Sequence, residues 1–85
     1  MTAVYRRDLK RIAKSGEKLN ALKPILECLE KGEPLSAQYN DHPLVGNWKG
    51  HRELHIKPDW LLIYRVDGDI VYLTSTGSHA HLFKK

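Results

Sequence analysis

Residues Trp60–Ser75, WLLIYRVDGDIVYLTS, decide the fold. Trp60–Val66 and Ile70–Ser75 are apolar, aromatic and β-branched, and Asp67-Gly68 between them is a strong short-range hairpin signal. A two-residue turn at Asp67 and Gly68 predicts Val66 opposite Asp69, Tyr64 opposite Val71, Leu62 opposite Leu73 and Trp60 opposite Ser75. Both faces are apolar near the turn, so the hairpin is expected to lie centrally, under cover. Just upstream, His51–Ile56 alternates, with Arg52, Leu54 and Ile56 on one face and His51, Glu53 and His55 on the other; Pro58 ends that strand. Downstream, Thr76-Gly77-Ser78 reads as a turn and His79–Phe83 as a short tail carrying two histidines.

The period changes on the amino side. From Val4 to Lys14 the apolar residues Tyr5, Leu9, Ile12 and Ala13 recur at helical spacing, while Arg6, Arg7, Lys10, Arg11 and Lys14 cover the rest of the cylinder. Ser15-Gly16 ends this basic amphipathic helix. Leu19, Leu22, Leu26 and Leu29 stripe a second helix with Gly32 as its stop; Pro24 requires it to start near Asn20 or to kink. So short a turn makes the two helices antiparallel neighbours. Glu33–Gly50, with Pro34, Pro43, Gly46 and Gly50, reads as a long structured connection. The order predicts an α+β fold, an N-terminal antiparallel helical hairpin packed on a small antiparallel β-sheet. One domain over residues 1–85 is expected, because so short a chain cannot hold two cores.

Composition narrows the function classes. Apolar types make up 41% and charged types 28% of the chain, too apolar for a disordered protein. The longest apolar run, Trp60–Tyr64, falls far short of the roughly 18 residues that cross a bilayer. Met1–Arg11 is basic with no apolar stretch behind it, unlike a signal peptide. Cys28 is the only cysteine, which excludes an intrachain disulfide and a cysteine-built metal site. A small soluble cytoplasmic domain is expected. Its net charge of +4 is unevenly placed, since residues 1–23 carry +5 and residues 24–85 carry −1. That excess points to an anionic partner for the first segment, whether nucleic acid, membrane surface or acidic protein.

All the histidines, His42, His51, His55, His79 and His81, lie from the middle of the chain onward. Zinc is one use for them. On a strand, however, four residues span about 13 Å, so His51 and His55 share a face without gripping one ion. His79 and His81 could both bind, with Asp59, His42 or a partner completing the site. Acid–base chemistry is the other use, because histidine titrates near neutrality. His42, His55, Asp59 and His79 lie at or near element ends, beside turns, where catalytic groups collect. Cys28 sits in a predicted helix far from the histidines, so no Cys–His pair forms. Trp48, Trp60 and Phe83 are more often core or stapling residues than base-stacking platforms. Spacing alone leaves the catalytic and the structural readings open.

A resemblance shifts that balance. Asp41–Tyr64, DHPLVGNWKGHRELHIKPDWLLIY, strongly resembles the DHPL-x-G-x-WKG-x-R-x-x-H-x-x-PDW-x-LIY stretch of YafQ-type toxins in the RelE/ParE superfamily. Thr76-Gly77-Ser78-His79 with Leu82-Phe83 resembles that family's carboxyl-terminal TG-(S/T)-H-x-x-LF signature. The helical hairpin followed by Gly32-Glu33-Pro34-Leu35 also fits, so the likeness covers nearly the whole chain. It implies the toxin of a bacterial type II toxin–antitoxin module. Such a toxin is an endoribonuclease that cuts messenger RNA on the translating ribosome without metal or other cofactor. A cognate antitoxin neutralises it, and promoter DNA is met only through the antitoxin complex. The resemblance places His42, His55, Asp59 and His79 in the active-site cluster, with His79 the favoured general acid and Asp59 or His55 the base. Trp60 and Phe83 fall on flanking aromatic positions. Arg6, Arg7, Lys10, Arg11 and Lys14 are then expected to grip ribosomal RNA phosphates.

This chain departs from the family in two places. The family often has an arginine four residues before the last histidine; Ser75 stands there, leaving transition-state charge to Arg52, Lys49 or Arg65. Relatives also begin with a β-strand, for which Met1-Thr2-Ala3 leaves almost no room, so that strand is expected to be short or missing. Two rival readings keep the fold and change the work. One is a catalytically weak or inactive co-repressor acting with its antitoxin. The other is a ParE-like gyrase inhibitor, which has no need of the histidine cluster.

Overall fold

Alternation and turn chemistry across residues 42–77 produce one antiparallel sheet in the computed structural model, which describes residues 3–14, 16 and 19–83. Its strands are β1 (His42–Pro43), β2 (Arg52–Lys57), β3 (Trp60–Asp67) and β4 (Ile70–Gly77), neighbours in chain order. Helices α1 (Ala3–Lys14) and α2 (Lys23–Lys31) precede the sheet, and a short helix α3 (His79–Phe83) follows it. The expected α+β arrangement of a helical hairpin on a small antiparallel sheet is therefore the one that forms. The expectation about an N-terminal strand falls on Met1 and Thr2, outside the described residues.

The central hairpin forms with a different register. Asp67 pairs with Ile70, so Gly68 and Asp69 make the turn rather than Asp67 and Gly68. Gly68 has φ +61°, and a left-handed glycine at the first loop position is what a type II′ turn requires. Pairing therefore moves by two residues, and Tyr64 faces Leu73 instead of Val71. A bulge then inserts Thr74 between Leu73 and Ser75, which shifts the remaining pairs to Ile63–Ser75, Leu62–Thr76 and Leu61–Gly77. Trp60 is thus not opposite Ser75. Its indole N–H instead donates to Thr76 Oγ1 at 2.9 Å, and the Thr76 hydroxyl donates to the Leu61 carbonyl at 2.6 Å. Cover is complete only away from the turn: Leu61, Leu62 and Ile63 are fully buried, whereas Val66 and Ile70 are exposed.

The helices supply the other half of the core. Tyr5, Ile12, Leu22 and Ile25 pack with Leu54, Trp60, Leu62 and Tyr64. Each fully buried aliphatic side chain there contributes about 1.5–3 kcal/mol relative to exposure. On α1 the inner positions are Tyr5, Asp8, Leu9 and Ile12; Ala13 is exposed and Asp8, a charged residue, is buried in its place. A 3₁₀ turn at Leu19–Leu22 leads into α2, which starts at Lys23 with Pro24 in its first turn, so no kink is needed. Gly32, at φ +69°, closes α2 with the paired bonds Gly32 N–H to Leu29 O and Glu33 N–H to Cys28 O. Among the described residues no helix is long and apolar enough to cross a membrane.

The connection from Glu33 to Gly50 is structured, as its sequence suggests. It holds 3₁₀ turns at Ala37–Tyr39 and Gly46–Trp48, and between them β1, whose His42 pairs with Glu53 and Pro43 with Arg52. Pro43 is tolerated because β1 is the sheet's edge. Asp41 anchors this edge by accepting the Tyr64 hydroxyl at 2.7 Å and Arg52 Nε–H at 3.1 Å. Burial and the Asp41 carboxylate together push the Tyr64 phenol well above its ordinary value. Burial works against the Arg52 charge, but bonds to Tyr64 and Asp41 outweigh it and hold the guanidinium protonated.

Candidate active site

Four segments bring their polar side chains to one end of the sheet. β1 supplies His42, β2 supplies Glu53 and His55 two residues apart on one face, the β2–β3 turn supplies Asp59, and His79 opens α3. What the sequence suggested as a tail is a helical turn. Ser78 caps it, its Oγ accepting the His81 N–H at 3.2 Å and its carbonyl the Leu82 N–H at 2.9 Å.

Glu53 is the hub of this cluster, and the sequence reading passed over it. Its side chain is 7% exposed. One carboxylate oxygen lies 3.3 Å from His55 Nε2 and 3.7 Å from His79 Nε2, while the other lies 3.5 Å from His42 Nε2. His79 also meets Asp59, whose Oδ1 is 3.4 Å from Nδ1 and accepts the His79 backbone N–H at 3.3 Å. A charged His79 thus has a carboxylate near each ring nitrogen. His42 Nδ1 is 2.7 Å from the Asn40 carbonyl, which can only accept, so that nitrogen carries a proton. The rings form a row across the strands: His42 to His55 at 6.3 Å, His55 to His79 at 5.6 Å, His79 to Phe83 at 6.2 Å and Phe83 to Trp48 at 6.3 Å between centroids. Only the strand alternation of His51, Glu53 and His55 hinted at the hub, and a lone glutamate among histidines on a strand carries no motif.

The other sequence candidates divide. Phe83 borders the cluster, and Trp48 beside it is a wall residue that spacing alone assigned to packing. Trp60 is buried, bonded to Thr76, and acts as a strut. Arg52 is held by Asp41 on the face opposite Glu53 and His55. Arg65 lies 4.1 Å over the Tyr72 ring and 3.7 Å from Asp67, about 13 Å along β3 from the pair that ends at Gly77. Lys49, Arg6, Arg7, Lys10 and Lys14 are exposed on the loop and on α1. His79 and His81 diverge, so they do not form a ligand pair. Among the described residues, the group able to hold a metal is instead Glu53, His55 and His79, whose ligating atoms lie within 4.8 Å of one another. Two imidazoles and a carboxylate suit zinc or copper.

His81 turns inward to a second carboxylate. Asp8 Oδ1 lies 3.3 Å from His81 Nε2 and 3.4 Å from Arg11 Nη2, while Oδ2 accepts the Ser75 hydroxyl at 2.6 Å and the Thr76 N–H at 3.2 Å. Burial pushes the Asp8 carboxyl up, but these four hydrogen bonds outweigh it and hold it below the usual carboxylate value. Ser75, at the position where the resemblance led to an expected arginine, is therefore a buried structural hydroxyl.

An α+β fold of this topology with an open histidine–carboxylate cluster defines a RelE-like protein. The family model for the bacterial toxin of type II toxin–antitoxin systems, YafQ, matches residues 1–84. The mRNA interferase toxin YafQ of Escherichia coli K12 is 42% identical over 80 residues, 93% of this chain and 87% of that one. Among solved structures, YafQ in the E. coli DinJ-YafQ complex has a TM-score of 0.89 at 38% identity, with 96% and 92% of the two chains covered. A copper-bound mutant toxin from Helicobacter pylori has a TM-score of 0.92 at 39% identity, covering 96% and 93%. The chain belongs to the YafQ family of type II toxins.

Proposed function

We propose that this chain is an mRNA interferase toxin that cuts message on the translating ribosome and is neutralised by a cognate antitoxin. The observation that carries the reading is His79, half-exposed between Asp59 and Glu53 on an open face. In the reaction a base takes the 2′-hydroxyl proton, the 2′-oxygen attacks phosphorus, and the 5′-oxygen leaves with a proton from the acid. A 2′,3′-cyclic phosphate and a 5′-hydroxyl result. His79 suits the acid because α3 holds it at the rim, while Asp59 and His55 are the bases within its reach. Glu53 orients the row and balances its charge. Exposed α1 cations support ribosomal RNA as the docking partner, and a cytoplasmic site of action goes with that reading.

The E. coli relative in complex with DinJ supports an antitoxin partner here. With so open a site, neutralisation by an acidic segment laid across α1 and the sheet end is the simplest route. The test is cleavage of a translated message with mapping of the cut ends. The parent protein should cut, and His79→Ala should lose activity while keeping its fold. Equal cleavage by His79→Ala would overturn the assignment of the acid.

A further inference from the structure

The reaction needs positive charge at the phosphate, and neither Arg52 nor Arg65 reaches the cluster. A cavity of about 280 Å³ shares Asp59 with the histidine row. Arg11 and Lys57 line it, together with Asp59, Trp60, Gly77 and Ser78. It borders the active site through Asp59 and brings the Arg11 and Lys57 side chains and Ser78 together beside that carboxylate, with Ile12 as part of its apolar wall.

Arg11 is built into this place, unlike its neighbours on α1. Its Nη2 donates to the Thr76 carbonyl at 3.0 Å and pairs with Asp8 Oδ1 at 3.4 Å, on the same carboxylate that Ser75 holds from the other side. Gly77 makes room for it. A Cβ at that position, where φ is +157°, would lie 2.9 Å from Arg11 Nη2 and 3.1 Å from His81 Cδ2. The guanidinium is therefore aimed from α1 to the strand end next to His79, at the spot where Ser75 offers no charge. Its side chain is 42% exposed, enough to meet a ligand while Nη2 is held in place.

We propose that Arg11 and Lys57 form a phosphate subsite for the RNA strand, receiving a phosphodiester next to the scissile one, with Arg11 supplying the cation that Ser75 does not. This rests on the RNA-cutting reading. The Arg11 guanidinium keeps N–H groups beyond Nη2 that can donate to a phosphate, and Lys57, lining the same cavity, adds a second cation. The remaining α1 cations then serve docking, whereas Arg11 serves the substrate.

The test is binding of a fluorescent RNA hexamer with 2′-O-methyl groups throughout, which cannot be cut because no 2′-proton is available. Affinity is measured across a salt series for the parent protein, Arg11→Gln, Lys57→Gln and, as a control at the far end of α2, Lys31→Gln. Arg11→Gln and Lys57→Gln should each weaken binding about tenfold and lower the slope of log affinity against log salt by about 0.7. Lys31→Gln should match the parent. Because Arg11 also touches Asp8, a purely structural role would weaken Arg11→Gln and leave Lys57→Gln unchanged; that result overturns the subsite, as does an unaltered salt slope in both. Cleavage of message on programmed ribosomes is followed in parallel. If the parent does not cut, the interferase reading fails on its own, while the hexamer still decides whether the cavity takes phosphate.

Discussion

His79 and His81 leave one short helix in different directions, and the carboxylates they meet set different tasks for them. His79 is 52% exposed and lies beside Asp59, itself 75% exposed, with Glu53 behind. His81 points to Asp8, whose side chain is 1% exposed and which three further donors already hold. The outer group stands open to solvent, where the proposed general acid has to be. The inner group ties α1, β4 and α3 together, and so positions the helix on which His79 stands. Residue type does not separate the two; depth does.

The largest effect expected from this contrast is on the outer side. His79→Ala should slow message cleavage by about 10²–10⁴, or roughly 2.7–5.4 kcal/mol of barrier, with little change in thermal stability. A variant that instead melts much earlier would merge the two groups into one structural network. On the inner side, Asp8→Asn should cost about 2–3 kcal/mol of folding stability. An amide keeps one oxygen for the Ser75 and Thr76 donors, which share Oδ2, and turns its own N–H donors toward Arg11 and His81, where Oδ1 had accepted. Urea unfolding measures this directly, and a loss below half a kcal/mol would mean that the Asp8 network is slack.

Acidity sharpens the same comparison. The Asp8 carboxyl is held below its ordinary value in the folded chain. Its contribution is therefore present above the unfolded value of about 3.9 and is lost as pH falls through the lower folded value. The stability gap between the parent and Asp8→Asn should accordingly be wide at pH 7 and shrink below about pH 4. A gap independent of pH would show that Asp8 contributes through packing alone. Metal ions probe the outer group instead. Copper or zinc held by Glu53, His55 and His79 would occupy the ring-nitrogen lone pairs that proton transfer needs. Micromolar-range additions should inhibit cleavage and a chelator should restore it; cleavage that rises with metal would call for a different role for these ligands.

Periodicity and turn chemistry carried most of the fold, and they failed where side-chain contacts overrode a local rule. Asp67-Gly68 is the stronger hairpin dipeptide, yet the chain turns at Gly68-Asp69, a register that keeps Asp67 in the strand beside Arg65. The Thr74 bulge left no trace in the alternation, because Thr74, Ser75 and Thr76 are all small and polar. His42, His55, Asp59 and His79 could be gathered only through the family motif, since they come from four separate segments. Glu53 and Asp8 were missed for one reason. A carboxylate at a buried spacing looks like a solvated charge until its donors are seen.

The smallest effect concerns the arginines to which the departure at Ser75 from the resembled family left the transition-state charge. Arg65 stacks on Tyr72 near the hairpin turn, at the far end of β3 from His79. It is partly exposed and pairs with an exposed Asp67. Its replacement by alanine should change cleavage by less than about twofold and stability by about half a kcal/mol or less, the scale of an ordinary surface substitution. Arg65→Ala is thus the counterpart of Arg11→Gln: both remove a guanidinium, and only one of these lines a cavity that borders the active site. Rates on programmed ribosomes compared at equal protein stability distinguish the two. A hundredfold loss in Arg65→Ala would mean that the message runs along the length of β3 to the hairpin, and the site would then have to be redrawn as a strand-long groove instead of a cluster at the sheet's end.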